Sequence, residues 1–141
     1  PDFVTHLNGF EAGCGGYGYN RQYVGRISPA DESSGARLTF FQRPSQTVMF
    51  TDAAFTQPGS PIAVIEYSFA EPPMNDHGNP FDPSAHFRHL GKTSVAFVDG
   101  HVEKFELSFT RANIYGVSET ENRDTGVGFF GPSNNSWFDY D

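Results

Sequence analysis

The chain has 141 residues, the usual length of one domain, and its 15 Gly and 10 Pro are too few for a collagen-like or low-complexity protein. Fifteen Phe supply large apolar side chains for a core. Nine Lys and Arg against 17 Asp and Glu give a net charge of −8, which disfavours nucleic acid and anionic membrane surfaces as partners. We therefore expect a single globular domain over residues 1–141.

Strand patterns dominate the chain, and no long stretch has the apolar periodicity of a helix. The predicted extended or apolar segments are residues 16–24, 37–41, 47–51 and 61–69. Residues 71–83 contain four Pro and one Gly, which predicts a loop. The end of the chain, residues 119–141, is polar with Gly and aromatic residues and is predicted to be irregular. The expected fold is mainly β, an antiparallel sheet with long irregular loops.

The clearest local feature is a hairpin over residues 93–107 that turns at Asp99-Gly100. An Asp-Gly pair between two strand-like runs favours a two-residue type I′ turn, in which both central residues have positive φ. The expected pairs are Val98 with His101, Phe97 with Val102, and Val95 with Lys104. This register predicts that Val95, Phe97 and Val102 share one face.

One spacing in the chain is specific: His89 is followed by nine residues and then by Asp99-Gly100. Two further segments accompany it in the order Cys-Gly-Gly-Tyr-Gly-Tyr-Asn at residues 14–20 and Pro-Ser-Gln-Thr-Val-Met-Phe-Thr-Asp at residues 44–52. In this combination the chain resembles the prepilin-type, processing-associated H-X9-DG domain family, which is similar to type II secretion pseudopilins.

The resemblance implies a parent chain that begins with a hydrophobic prepilin helix, cleaved and methylated at its start, and continues into a β domain. That helix is absent from this sequence, and counting it would make the fold α+β. The resemblance also implies an extracytoplasmic location, in the periplasm or at the cell surface of a bacterium. Expected partners are other pilin-like subunits or cell-surface glycans, with membrane contact only through the missing helix. The implied role is a non-enzymatic structural or adhesive domain.

Histidine and aspartate residues around the motif allow two interpretations. In the first, His89, Asp99 and Gly100 form a structural motif, with the His89 ring at least half buried and hydrogen-bonded near the hairpin. In the second, four residues bind a transition metal in a small metal-dependent hydrolase, because imidazole and carboxylate ligands suit such ions. These four are His86, His89, Asp99 and His101.

Acidic loops offer oxygen ligands for calcium, an ion that pseudopilins often hold in a C-terminal loop. The candidate ligands are Asp76, Asp82, Glu119, Glu121 and Asp124. Their spacing does not match an EF-hand, and solvated acidic loops with Asx turns are the alternative. The sequence identifies no certain cofactor, and calcium is the candidate ion.

Aromatic residues near the end of the chain offer a binding surface for glycans. Trp137 and Tyr140 lie beside the carboxylates of Asp139 and Asp141, a combination that can stack on sugar rings and bond their hydroxyl groups. The alternative is a tail that packs these rings onto the sheet. No nucleophile elbow, His-Glu-x-x-His or phosphate-binding loop is present, so no catalytic residue is assigned. A Cys-His or two-carboxylate hydrolase remains open.

Overall fold

The fold is mainly β, as expected, with antiparallel sheets joined by long loops. The computed structural model describes residues 15–25 and 35–140. Within these ranges it has one α-helix, α1 (Glu119–Asp124), and one 3-10 helix (Leu38–Phe40). The strands are β1 (Tyr17–Tyr19), β2 (Val48–Asp52), β3 (Ala54–Gln57), β4 (Ala63–Glu66), β5 (Ala85–His86), β6 (Lys92–Phe97), β7 (Val102–Glu106) and β8 (Val127–Gly128).

The central sheet has the strand order β1-β2-β6-β7, with every neighbouring pair antiparallel. Along β6 the side chains of Thr93, Val95 and Phe97 are buried and the ones between them are partly exposed, as the two-residue repeat of a strand requires. The buried face packs on Phe130 and Phe138 from the end of the chain. Two smaller sheets, β3-β4 and β5-β8, complete the described fold.

The β6-β7 hairpin is confirmed, but its predicted turn and register are wrong. Phe97 N–H donates to the His101 carbonyl at 3.0 Å and Gly100 N–H donates to the Phe97 carbonyl at 2.9 Å, which closes a three-residue loop. Gly100 has a φ of 93°, whereas Asp99 has no positive φ. A three-residue loop with glycine in the left-handed position replaces the expected two-residue type I′ turn.

The longer loop shifts the strand pairing by one residue. Val102 lies opposite Ala96 instead of Phe97. Because side chains alternate across a strand, a shift of one residue moves each side chain of β7 to the other face. Val102 is therefore 63% exposed and does not share the core face of Val95 and Phe97.

A type I′ turn does occur, at the start of β6. Leu90 and Gly91 both have positive φ, 56° and 79°. His89 and Lys92 exchange both of their backbone hydrogen bonds across this turn, at 3.0 and 3.2 Å. β6 thus runs between two tight turns, with His89 before it and Asp99 after it.

The end of the chain is more regular than its sequence predicted, because it contains α1. Ser118 and Glu121 form a capping box, in which Glu121 N–H donates to Ser118 Oγ at 3.3 Å and Ser118 N–H donates to the Glu121 carboxylate at 2.8 Å. Buried Asn122 ties the helix down, since its Nδ2 donates to the Arg111 carbonyl at 2.8 Å and its Oδ1 accepts from the Thr56 hydroxyl. The Ser-x-x-Glu pattern was the sequence signal for this helix.

Two other predicted segments are shorter or different in the structure. Strand β1 ends at Tyr19, and the chain then turns so that Val24 and Gly25 both donate to the Asn20 carbonyl at 3.1 Å. Residues 37–41 contain the 3-10 helix instead of extended chain. Strands β3 and β5 were not predicted at all, because their sequences are short and lack a clear alternation.

Candidate functional site

A buried carboxylate, Asp52, lies at the end of β2. It is the last residue of the second of the two motif segments, residues 14–20 and 44–52. Its side chain is 1% exposed. Asp52 Oδ2 accepts from the Ser94 N–H at 2.8 Å and lies 3.2 Å from His89 Nε2, and Oδ1 lies 3.7 Å from Arg88 Nε. A carboxylate removed from water needs such partners, because burying an unpaired charge is costly.

Arg88 links this carboxylate to the first motif segment. Its Nη2 donates to the Gly16 carbonyl at 2.5 Å and to the Ala53 carbonyl at 2.8 Å. Gly16 has a φ of 73°, which favours glycine, and a Cβ there would lie 2.5 Å from Arg88 Nη1 and would displace the guanidinium. Cys14, at the start of that segment, lies outside the described residues.

The last residue of the first motif segment, Asn20, joins the sheet to the end of the chain. It is fully buried. Its Nδ2 donates to the Val48 and Phe138 carbonyls, each at 2.8 Å, and its Oδ1 accepts from the Tyr23 N–H at 3.2 Å. Asn20 therefore ties the first segment to β2 and to the end of the chain, through contacts separate from those of Asp52, Arg88 and His89.

His89 does not meet the hairpin turn, which corrects one expectation. The six residues of β6 lie between them, and at about 3.3 Å a residue this strand holds them about 20 Å apart. The ring is 46% exposed and faces Asp52 instead. Asp99 pairs with His101, whose Nδ1 lies 2.6 Å from Asp99 Oδ1. That hydrogen bond lowers the pKa of Asp99.

The four residues of the transition-metal hypothesis do not form one cluster. His86 is buried in β5, and burial lowers its pKa to about 4. His89 faces Asp52, while Asp99 and His101 pair at the far end of β6. Within residues 15–25 and 35–140, no group of three or more His, Cys, Asp or Glu side chains is arranged to hold a metal ion.

The carboxylates of the calcium hypothesis divide between a loop and a helix. Asp76 and Asp82 lie in the loop before β5, where Asp82 Oδ1 accepts from the Ile114 N–H at 3.0 Å and burial raises its pKa. Glu119, Glu121 and Asp124 belong to α1.

Two of the helix carboxylates already have partners. Glu119 Oε1 lies 3.3 Å from Arg123 Nη2. Glu121 serves the capping box, and its hydrogen bonds with Ser118 lower its pKa. A calcium ion would compete with these interactions.

An open cleft of about 530 Å³ lies between the β6-β7 hairpin and the end of the chain. Its lining includes Gln46, Phe97, His101, Glu103, Phe105 and Trp137. The Trp137 and Phe105 ring centroids are 5.1 Å apart. A Cβ on Gly131 would lie 2.5 Å from Trp137 Cε3, so this glycine lets the indole pack closely. The cleft combines aromatic rings with an amide, an imidazole and a carboxylate.

The two predicted glycan-binding residues have different surroundings. Trp137 lines the cleft, whereas Tyr140 packs against Phe41 and Tyr23, and its hydroxyl donates to the Tyr23 carbonyl at 2.7 Å. Sequence analysis missed His101, Glu103 and Phe105 as lining residues. The expected register turned Val102 and Lys104 toward this side, and the loop length that reverses them was not evident from the sequence.

Comparisons with protein-family models, curated proteins and solved structures found no match for this chain. Among the described residues, no helix has both the length and the apolar character needed to cross a membrane.

Proposed function

We propose that this chain is a non-enzymatic, pseudopilin-like extracytoplasmic domain with an adhesive role, which binds cell-surface glycans. The cleft beside Trp137 carries the proposal. Ligand sites are concave and combine apolar surface with a few polar groups, and this open cleft brings both kinds of group together.

The composition of the cleft supports a sugar as its ligand. Trp137 and Phe105 offer rigid apolar surface for the C–H face of a pyranose ring. Gln46 and Glu103 supply amide and carboxylate groups that hydrogen-bond sugar hydroxyls. A cleft with these groups binds a ring that is apolar on its faces and polar at its edge.

The placement of the reactive side chains supports a role without catalysis. Asp52 lies against both Arg88 and His89, Arg88 also donates to the backbone, and His86 is buried in a strand. Asp99 and His101 pair with each other. In the described part of the chain, the buried members of this set stabilise the fold, whereas the Asp99–His101 pair is exposed.

The extracytoplasmic location rests on the resemblance to H-X9-DG proteins. The same resemblance supports pilin-like subunits as further partners and a prepilin helix in a longer parent chain as the membrane anchor. The cleft favours glycans as the ligand of this domain itself.

Retention of the 141-residue chain on insoluble neutral, amino and acidic polysaccharides tests the proposal. We expect retention on at least one of them, release by its soluble oligosaccharide, and loss of retention in Trp137→Ala. Gln46→Ala, at an exposed position of the rim, should weaken retention without affecting the fold. Tyr115→Ala removes a 57% exposed aromatic residue outside the cleft lining and serves as the matched control.

Two results would overturn the proposal. One is the absence of retention on every polysaccharide. The other is equal loss of retention in Tyr115→Ala and in the cleft variants, with unchanged circular dichroism spectra. Equal loss would show that the cleft residues are no more important for polysaccharide binding than a residue outside the cleft.

A further inference from the structure

The charge of the cleft narrows the class of sugar that it accepts. We propose that the ligand is a cationic hexosamine oligosaccharide, one that has free amino groups; this inference rests on the proposed function. Glu103 provides the anionic partner, and the aromatic rings of Phe105 and Trp137 provide the stacking surface.

The strand register aims Glu103 into the cleft. Residues 103 and 105 of β7, and residue 101 just before it, alternate with their neighbours and share the face that holds Phe97. The Glu103 side chain is 58% exposed. Its Oε1 lies 3.6 Å from His101 Nε2, beyond hydrogen-bond distance, so this contact leaves the carboxylate able to accept from a ligand.

His101 is held in place beside Glu103. Its ring stacks on Phe97 with centroids 4.4 Å apart and an interplanar angle of 3°. Its Nδ1 lies 2.6 Å from Asp99 Oδ1. Two carboxylates therefore flank this imidazole, and the polar side of the cleft has a net acidic character.

The surrounding charge adds to this preference. Among the described residues that line the cleft, none is Lys or Arg. The whole chain has a net charge of −8. Such a surface attracts cationic ligands and repels acidic ones such as uronic acids, because charge complementarity governs both encounter and selectivity.

A hexosamine can contact the aromatic side and the acidic side of the cleft at the same time. Its pyranose ring has an apolar face for Trp137 and Phe105, and its ammonium group projects from the ring edge toward a carboxylate. A partly exposed ion pair of this kind strengthens binding by about fivefold. Acetylation removes the positive charge and keeps the ring, so an N-acetylated sugar isolates the contribution of Glu103.

Calorimetric titration of the 141-residue chain with three tetrasaccharides tests this inference. The probes are the tetramers of glucosamine, N-acetylglucosamine and galacturonic acid. We expect the glucosamine tetramer to bind about fivefold more tightly than the acetylated one, and the galacturonate tetramer to bind least. Added salt should lower the affinity for the glucosamine tetramer and leave the affinity for the uncharged N-acetylglucosamine tetramer unchanged.

Two matched variants on one strand sharpen the experiment. Glu103→Gln should reduce the ratio of the two affinities to about one while retaining the N-acetylated sugar. Glu106→Gln, on the opposite face of β7 and 77% exposed, should leave the ratio unchanged. Both variants remove one exposed negative charge, so the comparison separates the cleft from the overall charge.

The possible failures are distinguishable. Equal binding of the charged and acetylated tetramers, or tighter binding of galacturonate, overturns the hexosamine inference and leaves a glycan-binding domain. An unchanged ratio in Glu103→Gln also overturns it. No binding of any saccharide, in this titration and on the polysaccharides above, overturns the proposed function as well.

Discussion

His89 Nε2 lies 3.2 Å from Asp52 Oδ2, so the histidine of the nine-residue spacing interacts with the end of β2 and not with the Asp99-Gly100 turn. The spacing corresponds to one strand between two turns. Its first residue belongs to the buried carboxylate network, and its last residues close the hairpin. This division gives the two ends of the motif separate roles.

The first prediction concerns the buried carboxylate. Asp52→Asn should lower the free energy of unfolding by about 3 kcal/mol, because it removes the buried carboxylate charge that lies beside the largely buried Arg88 guanidinium. Urea denaturation followed by Trp fluorescence measures this change. Glu106→Gln, which removes an exposed carboxylate, should change it by less than about 0.5 kcal/mol. Similar effects of the two substitutions would contradict a structural role for Asp52.

The second prediction concerns the hairpin loop. Gly100→Val should destabilise the fold by about 1–2 kcal/mol, because a β-branched residue is strained at a φ of 93°. Gly35→Ala is the control, since Gly35 lacks a positive φ and, among the described residues, a Cβ there meets just the Val24 carbonyl oxygen, at 3.7 Å. Equal melting temperatures for the two variants would argue against this turn geometry.

The third prediction is a pH dependence that comes from His86. Burial lowers the pKa of this imidazole from 6.5 to about 4, with Arg88 acting in the same direction and the Thr125 backbone opposing it. Between these two values the unfolded chain binds more protons than the folded one. The contribution of neutral His86 to the free energy of unfolding is therefore fully present above pH 6.5. It is lost as the pH falls toward 4, a change of up to about 3 kcal/mol.

Unfolding experiments between pH 7.5 and 4.5 measure this dependence. His86→Asn should flatten the slope of the unfolding free energy against pH. His77→Gln changes a histidine whose side chain is 80% exposed and should leave the slope as in the unmodified chain. A slope that His86→Asn does not alter would assign the acid sensitivity to other groups.

The fourth prediction is the effect of calcium, which rests on the resemblance and on the acidic loops. Calcium at 100 times its dissociation constant should stabilise the fold by about 2.7 kcal/mol, and a chelator should reverse the rise in melting temperature. Asp82→Asn and Asp124→Asn test the loop and the helix separately. Magnesium and zinc serve as comparison ions. No shift with calcium, together with no ion in crystals soaked in calcium, would remove this prediction.

Local patterns were enough to predict the fold class and several elements. Alternation predicted β4, strand-forming residues predicted β2, and the Asp-Gly pair predicted the hairpin. The prolines of residues 71–83 predicted a loop, and the structure has only one isolated bridge there, between Met74 and Pro80. These features depend mainly on residues that are close together in the chain, so local sequence patterns are enough to predict them.

The helix α1 could also have been predicted from a local pattern, but it was missed. Ser118 and Glu121 have the spacing of a capping box, but the polar composition around them favoured an irregular tail. The 3-10 helix at residues 38–40 had no comparable signal. The type I′ turn at Leu90-Gly91 was also hidden, because leucine seldom adopts positive φ.

By itself, the sequence determined a mainly β chain with a hairpin at Asp99-Gly100, because alternation and turn chemistry act between near neighbours. Tertiary structure alone decided which face each residue of β7 takes. One extra loop residue turned Glu103 and Phe105 toward Trp137, and Val102 toward solvent. The tertiary structure also places His89 beside Asp52, which lies 37 residues earlier in the chain. Such pairings depend on packing and strand order across the whole domain, and no local pattern contains them.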